Sequence, residues 1–409
     1  MPPPPLPDFL RLLPWLAKWL ALAAAVAALA GTASAFFLFA LDWATATREA
    51  HRWLIALLPL AGAFVAWVYD RHGRAVEAGN NLLIDQIHDP HTQIPLRMAP
   101  LVLGGTVIAH LFGASVGREG TAVQMGGALA DQLTSAFRLG RDDRRLLLMA
   151  GISAGFASVF GTPLAGAVFG LEVLTVGRLR FDALLPCTVA AILADRVTSA
   201  WGAHHTHYAV GAIPPETAAT LLAVAVAGAL FGLAGKLFAE ATHALGAWMK
   251  RRLPTAPLRP LVGGAVIASL VLAFGADRWI GLGIPVIVES FARPLGAHDW
   301  LLKLLFTVGS LGSGFKGGEV TPLFFMGATL GNALAPLLQL PFGFLAGIGF
   351  VAVFAGAANV PLASTLMAME LFGSAMGMPA LLACVLSWLC SGQSGIYKAQ
   401  RGREGKRPG

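Results

Sequence analysis

Charged residues are scarce in this chain. Lys, Arg, Asp and Glu make up 12% of its 409 residues, whereas soluble globular domains carry about 25%. Hydrophobic residues account for 56% of the sequence, so the few charges cannot cover the surface of a water-soluble molecule of this size. The composition therefore excludes an ordinary soluble domain and is typical of a membrane protein with many spans.

Cysteine is equally scarce. The three cysteines, Cys187, Cys384 and Cys390, lie in apolar runs, so the sequence predicts neither a disulfide framework nor a metal site. The net charge of +7 could indicate a nucleic-acid partner, but the basic residues lie in short loops and at the chain ends. Basic residues in those places set the topology of a membrane protein. We therefore expect a lipid bilayer as the partner, no nucleic acid, and no cofactor.

Apolar segments follow one another along the chain. Those at residues 12–41, 53–69, 181–201 and 217–249 are long enough to cross a bilayer. Other segments are short or interrupted, as at Gly161-Thr162-Pro163, and helices that end inside a membrane require a cavity around their irregular backbone. The sequence thus predicts an all-α polytopic membrane protein with many broken or tilted helices.

The expected organisation is a short tail, a transmembrane domain and a second tail. The first tail, 1–11, is rich in proline and expected to be disordered, and the domain covers 12–397. The second tail is basic, which places it in the cytoplasm by the positive-inside rule. This basic tail covers residues 398–409. The transmembrane domain consists of two halves, at roughly 53–210 and 258–397, which a helix at 217–249 connects.

The two halves resemble each other. The matched stretches are Pro163-Leu164-Ala165 with Pro361-Leu362-Ala363, Glu119-Gly120-Thr121 with Glu319-Val320-Thr321, and Met125–Leu129 with Met326–Leu330, at offsets of 198 to 201 residues. Repeats of this kind place the substrate site of a transporter at their interface, although the sequence leaves open whether they are inverted or parallel. Glu172 and Glu370 each follow their proline by nine residues, which indicates a shared structural task at helix ends.

The stretch Gly117-Arg118-Glu119-Gly120-Thr121 places a carboxylate between two glycines, ahead of a helix predicted from residue 121 to residue 137. The N-terminus of a helix offers free N–H groups and the positive end of the helix dipole to a ligand. An ionisable side chain inside a membrane costs ~3 kcal/mol on insertion scales, which favours a functional role over a purely structural one. Glu119 is therefore the principal candidate residue, and a structural acid bonded to a helix end is the alternative.

These motifs resemble the CLC family of anion channels and proton-coupled antiporters, over about residues 12–397. The resemblance implies a CLC-type fold with two inverted internal repeats, and a homodimer with a separate pore in each subunit. Asn80 stands where chloride-type members carry serine, Val320 where they carry phenylalanine, and Val173 where chloride antiporters often carry an inner proton-relay acid. These three departures resemble the fluoride branch of the family.

The resemblance also implies residue roles. Glu119 would be the gating and proton-transfer carboxylate. The anion-binding or pore residues would be Asn80, Gly117, Arg118, Gly120, Thr121, Glu319, Val320, Thr321 and Tyr397. The alternatives are a turn signal for Asn80, a surface or lipid-headgroup position for Arg118, helix capping for Glu319 and Thr321, and an interfacial belt for Tyr397. Asn81 is expected to be structural, and His204, His205 and His207 are assigned to a solvated loop rather than to a metal site.

The function implied by the resemblance is proton-coupled fluoride antiport across the inner membrane of a bacterial cell, with fluoride exported in exchange for protons, and not an enzymatic reaction. HF crosses bilayers and ionises inside the cell, so a proton gradient can drive fluoride out. A chloride or mixed-anion channel or antiporter is the nearest alternative. An intramembrane protease is a third, suggested only by Gly392-Gln393-Ser394-Gly395, and no histidine after His298 could act as its base.

Overall fold

The computed structural model describes residues 8–393 and 395–402, and in these ranges the chain is helical with no β-structure beyond isolated bridges. The all-α prediction is confirmed. The α-helices of the described residues are α1 (Asp8–Ala50), α2 (Leu58–Val68), α3 (Asn80–His88), α4 (Met98–Leu111), α5 (Glu119–Ala136), α6 (Arg141–Phe160), α7 (Pro163–Glu172), α8 (Leu184–Ala200), α9 (Ala218–Arg252), α10 (Leu258–Phe274), α11 (Ile284–Ala292), α12 (Asp299–Gly312), α13 (Val320–Leu338), α14 (Phe342–Ala358), α15 (Pro361–Phe372) and α16 (Gly377–Cys390).

Long and short helices are mixed, as the sequence predicts. In the described part of the chain, five helical stretches are long and apolar enough to cross a membrane, among them 12–50 and 218–252. Others are half-length: α7 has ten residues, about 15 Å, against roughly 30 Å of hydrocarbon. Both α7 and α15 begin at a proline, a residue that suits the first helical position because its missing N–H would be unpaired there.

Three predicted boundaries differ from the structure. α1 begins at Asp8, so residues 8–11, assigned to the disordered tail, are helical. It also continues to Ala50, because a helix need not end where its apolar run ends. α5 begins at Glu119, two residues before the predicted start. The predictions for residues 1–7, for residues 403–409 and for Ser394 lie outside the described residues.

Glycines allow the two halves to pack in the same way. A Cβ atom on Gly126 of α5 would collide with the carbonyl oxygen of Gly151 on α6. A Cβ atom on Gly327 of α13 would collide with that of Gly349 on α14. Small residues at such crossings let membrane helices approach closely enough for van der Waals contact along the backbone. The pairs α5–α6 and α13–α14 are therefore equivalent layers of the two repeats.

Glu172 and Glu370 bind each other's helix. The carboxylate of Glu172, at the end of α7, accepts hydrogen bonds from the N–H groups of Leu362 (3.0 Å) and Ala363 (2.8 Å) at the start of α15. Glu370 on α15 accepts from Leu164 and Ala165 at the start of α7, both at 2.8 Å. The predicted structural task of these two acids is confirmed. Such reciprocity is what a twofold relation between the repeats produces.

Replacing either of these acids with alanine should destabilise the fold by a similar amount. Each of the variants Glu172→Ala and Glu370→Ala leaves two helix N-terminal N–H groups without their acceptor, which costs about 1–3 kcal/mol per buried group. Thermal unfolding in detergent measures the loss. Unchanged unfolding of both variants would show that the reciprocal caps contribute nothing to stability.

Candidate functional site

The carboxylate of Glu119 is buried and bonded across the repeat interface. Glu119 is 1% exposed and opens α5. Its Oε1 atom accepts a short hydrogen bond of 2.5 Å from the Thr321 hydroxyl, and its Oε2 atom accepts from the Thr321 backbone N–H at 3.0 Å. The backbone N–H of Arg118 donates to the same Oε2 atom at 3.2 Å. The acid of the first repeat therefore lies on the first turn of α13 in the second repeat.

A backbone pairing between two glycines makes this contact possible. The N–H of Gly117 donates to the carbonyl oxygen of Gly318 at 2.6 Å, and the N–H of Gly318 donates back to Gly117 at 2.7 Å. A Cβ atom on Gly318 would lie 2.8 Å from the backbone nitrogen of Gly120, so no other residue fits there. The pairing brings the N-termini of α5 and α13 together, and both helix dipoles favour negative charge at that point.

The side chains of Asn80 and Glu319 both lie close to Gly120. The position of a Cβ atom on Gly120 would be 3.0 Å from Asn80 Nδ2 and 3.6 Å from Glu319 Oε2. Glu319 Oε2 and Asn80 Oδ1 are buried, yet neither has a hydrogen-bond partner among the described residues. Buried polar atoms without partners are uncommon, and these two belong to side chains that both lie close to Gly120. Such atoms can accept a hydrogen bond from a group that carries or shares a proton.

The capping alternative for Glu319 does not hold. Glu319 is the residue immediately before α13, but its side chain makes no capping hydrogen bond.

Arg118 is not at the lipid surface, because its side chain is 11% exposed and its Nε atom lies 3.5 Å from Glu119 Oε1. It contributes positive charge directly beside the carboxylate.

Thr121 has a different environment from the one expected. Its hydroxyl is paired with the Thr106 hydroxyl at 2.7 Å, and both side chains are fully buried between α5 and α4. This contact ties the two helices together and accounts for Thr121 without a place in the ion path. Val320 is buried in the main apolar core, as Tyr397 is, and its pore position stays a prediction. Thr321, the repeat partner of Thr121, is the threonine that contacts Glu119.

Tyr397 is buried, not interfacial. It is 5% exposed, and it lines a cavity of about 300 Å³. Its segment is held on both sides: the N–H of Ile396 donates to Ala357 O at 2.8 Å, and the N–H of Ala399 donates to Asn81 Oδ1 at 2.9 Å. The structural assignment of Asn81 is confirmed.

Two glutamines near the site were not singled out from the sequence. The side-chain amide of Gln124 lies 3.2 Å from where a Cβ atom on Gly79 would be, next to Asn80. Gln124 follows Gly120 by four residues and so lies on the same face of α5. This spacing is visible in the sequence and could have identified Gln124. Gln400 donates from Nε2 to the carbonyl oxygen of Val173 at 2.9 Å, a tertiary contact that no local pattern indicates.

The three histidines do not come together. His205 is mostly buried, with its ring against Gly161 and its Nε2 atom 3.7 Å from Asp195, whereas His204 and His207 are exposed. His205 therefore departs from the solvated-loop assignment. In the part of the chain that the structure describes, no three His, Cys, Asp or Glu side chains are grouped as metal ligands would be.

Comparisons with known proteins give a consistent result. The family model described as voltage gated chloride channel matches residues 61–392. A chloride/fluoride channel protein of Pseudomonas syringae pv. tomato is 65% identical over 401 residues, which cover 97% of this chain and 89% of that protein. The crystal structure of a CLC-type fluoride/proton antiporter matches with a TM-score of 0.92 at 35% identity, covering 95% and 98% of the two chains. A slow cyanobacterial Cl⁻/H⁺ antiporter shares the fold, with a TM-score of 0.79 at 21% identity over 91% and 94%.

Thr321→Val and Thr121→Val form a matched pair of variants for testing the site. The first removes the hydroxyl that holds Glu119, and a hydrogen bond to a charged group is worth about 1.5–3 kcal/mol, so anion transport should fall by roughly tenfold or more. The second removes only the contact to Thr106 and should change stability more than transport. Efflux of anions from proteoliposomes measures the effect. Equal losses in both variants would contradict the assignment of Thr321 alone to the site.

Proposed function

The chain belongs to the voltage-gated chloride channel (CLC) family, and within it we propose that it is a proton-coupled antiporter that exports fluoride in exchange for protons. The relatives named for fluoride, at 65% and 35% identity, support this substrate. The observation that carries the proposal is the contact of Glu119 with Thr321, beside an Asn80 amide and an unpartnered oxygen of Glu319.

The donors that hold Glu119 are suited to fluoride. Fluoride is small and strongly hydrated, so a site that strips its water must return directed hydrogen bonds. The N–H and hydroxyl of Thr321 supply two such donors, and the Asn80 amide supplies two more N–H groups. When Glu119 is ionised it occupies the Thr321 donors itself. When it takes up a proton, it accepts these bonds less strongly, and an anion can replace it there.

Glu319 belongs to the same exchange. A carboxylate that faces an anion path repels the anion unless it is protonated or paired. We infer that Glu319, Thr321 and Tyr397 form one polar cluster that receives either Glu119 or a fluoride ion during the cycle. The lack of any partner for Glu319 Oε2 among the described residues supports this role, since a structural acid would be bonded as Glu172 and Glu370 are.

Membership of the family also supports a proposal for the membrane location and the assembly of the protein. We propose a multi-pass protein of the bacterial inner membrane with its C-terminus in the cytoplasm, a transporter and not an enzyme. A homodimer with one pore per subunit is part of the proposal.

Proteoliposomes loaded with fluoride or chloride test the proposal. A pH gradient should drive fluoride against its own gradient, and fluoride efflux should be much faster than chloride efflux. Equal rates for the two ions would favour the mixed-anion alternative. Fluoride movement that no pH gradient can drive uphill would favour a passive channel.

Asn80→Ser should weaken the preference for fluoride over chloride. Serine restores the residue of the chloride-type pattern and replaces two amide donors by one hydroxyl. The ratio of fluoride to chloride efflux measures the change, with Asn81→Ser as the matched control because Asn81 bonds the Ala399 backbone instead. An unchanged ratio in Asn80→Ser would show that selectivity is determined elsewhere.

Glu119→Gln should abolish proton-driven transport. The amide cannot carry a proton, but it resembles the protonated carboxyl in shape, so fluoride binding should persist. Uphill fluoride flux under a pH gradient measures the loss. If this variant still pumps fluoride, Glu119 is not the proton carrier.

A further inference from the structure

The cavity below Tyr397 lies where the C-terminal segment closes the protein. His243 of α9, Lys398 and Gln400 share its lining with Tyr397, and the cavity measures about 300 Å³. The N–H of Ala399, two residues after Tyr397, donates to Asn81 Oδ1, and Asn81 follows Asn80 of the site, so this segment and its cavity lie beside the site. A proton that leaves the site on the side of the chain terminus would pass through this cavity.

In this chain the position of the relay acid of chloride antiporters carries no side chain that can take up a proton. Val173 replaces the acid, and Gln400 covers it, with Nε2 donating to the carbonyl oxygens of Val173 (2.9 Å) and Ala358 (2.8 Å). The Oε1 atom of Gln400 accepts from Asn359 Nδ2 at 2.9 Å. An amide with its donor and acceptor both engaged cannot take up a proton. A proton that passes here needs another acceptor.

Among the described residues that line this cavity, His243 is the only one of a type that ordinarily titrates near neutral pH. Lysine and tyrosine keep their protons in that range, and the remaining lining residues do not ionise. Imidazole can accept a proton on one nitrogen and release it from the other, which makes it suitable as a relay. His243 is half-buried and lies in the last third of α9, nine residues before the helix ends at Arg252.

The other ionisable groups around His243 are few, and most of them are engaged in ion pairs or hydrogen bonds. Lys398 faces it from the C-terminal segment, and on α9 itself Lys236 pairs with Glu240 at 3.8 Å. The helices packed against α9 are α12, α13, α14 and α16. Of these, α13 and α14 contain no ionisable residue and α16 contains only cysteines. The charged residues of α12, Asp299 and Lys303, are engaged with Arg278 and with the Gly281 carbonyl.

We propose that His243 is the proton-exchange residue of this cavity, which takes the place of the missing relay acid. The inference rests on the proposed function. A proton brought by Glu119 passes to the Tyr397 hydroxyl, which releases its own proton to the neutral ring of His243. The resulting imidazolium gives that proton to solvent, so each group returns to its starting state. The positive charge of Lys398 beside the ring favours release of the proton.

His243→Gln tests this role directly. Glutamine keeps a polar side chain of similar length but cannot titrate, so proton-driven fluoride transport should fall about tenfold or more. Its dependence on pH between about 5 and 8, where a histidine titrates, should flatten. His243→Glu should restore transport, with its pH dependence moved to lower pH. His51→Gln is the matched control, since it makes the same change at an exposed histidine that bonds the Thr47 carbonyl oxygen, and the wild-type profile should be kept. Parallel fluoride and pH electrodes record both fluxes.

Fluoride binding at equilibrium separates this role from a structural one. Titration calorimetry on His243→Gln should give the wild-type affinity, because a relay affects the rate of proton exchange and not the anion site. Wild-type pH dependence and coupling in His243→Gln would overturn the inference while leaving the antiporter intact. Loss of fluoride binding would also overturn it, by showing that the residue holds the site together. Absence of proton-coupled flux in the wild-type protein would instead refute the proposed function.

Discussion

The pairing of Gly117 with Gly318 is the constraint on which the site depends. Two reciprocal hydrogen bonds of 2.6 and 2.7 Å join backbone segments from opposite repeats, and they form only because neither residue has a side chain. This pairing places the first turns of α5 and α13 against each other. Glu119 can then reach Thr321, and the free N–H groups of two helices converge on one point inside an apolar protein.

A symmetric scaffold here supports an asymmetric site. Glu172 and Glu370 hold equivalent positions and do equivalent work, each binding the first turn of the other repeat's helix. Glu119 and Glu319 also hold equivalent positions, but one carboxylate is fully bonded and the other has a buried oxygen without a partner. The two repeats thus share their packing and differ in the hydrogen bonding of their two equivalent acids at the centre.

The sequence predicts the scaffold well because its signals are local or periodic. Proline and glycine mark the start of α7, and equal spacing of Glu172 and Glu370 indicates their shared task. It does not distinguish Thr121 from Thr321, since both follow a motif acid by two residues. The two threonines differ in their neighbours. The Thr121 hydroxyl pairs with that of Thr106 on α4, whereas the Thr321 hydroxyl donates to Glu119. The position of Gln400 over Val173 likewise depends on a contact between residues far apart in the chain.

The central claim is that fluoride and the ionised Glu119 carboxylate compete for the same donors. Calorimetric titration of the purified protein with fluoride, in two buffers of different ionisation enthalpy, measures the protons taken up on binding. If the two compete, fluoride should bind more tightly as the pH falls, with uptake of about one proton for each fluoride bound, because fluoride binding and protonation of Glu119 are then linked equilibria. Fluoride binding that takes up no proton and does not change with pH would contradict it.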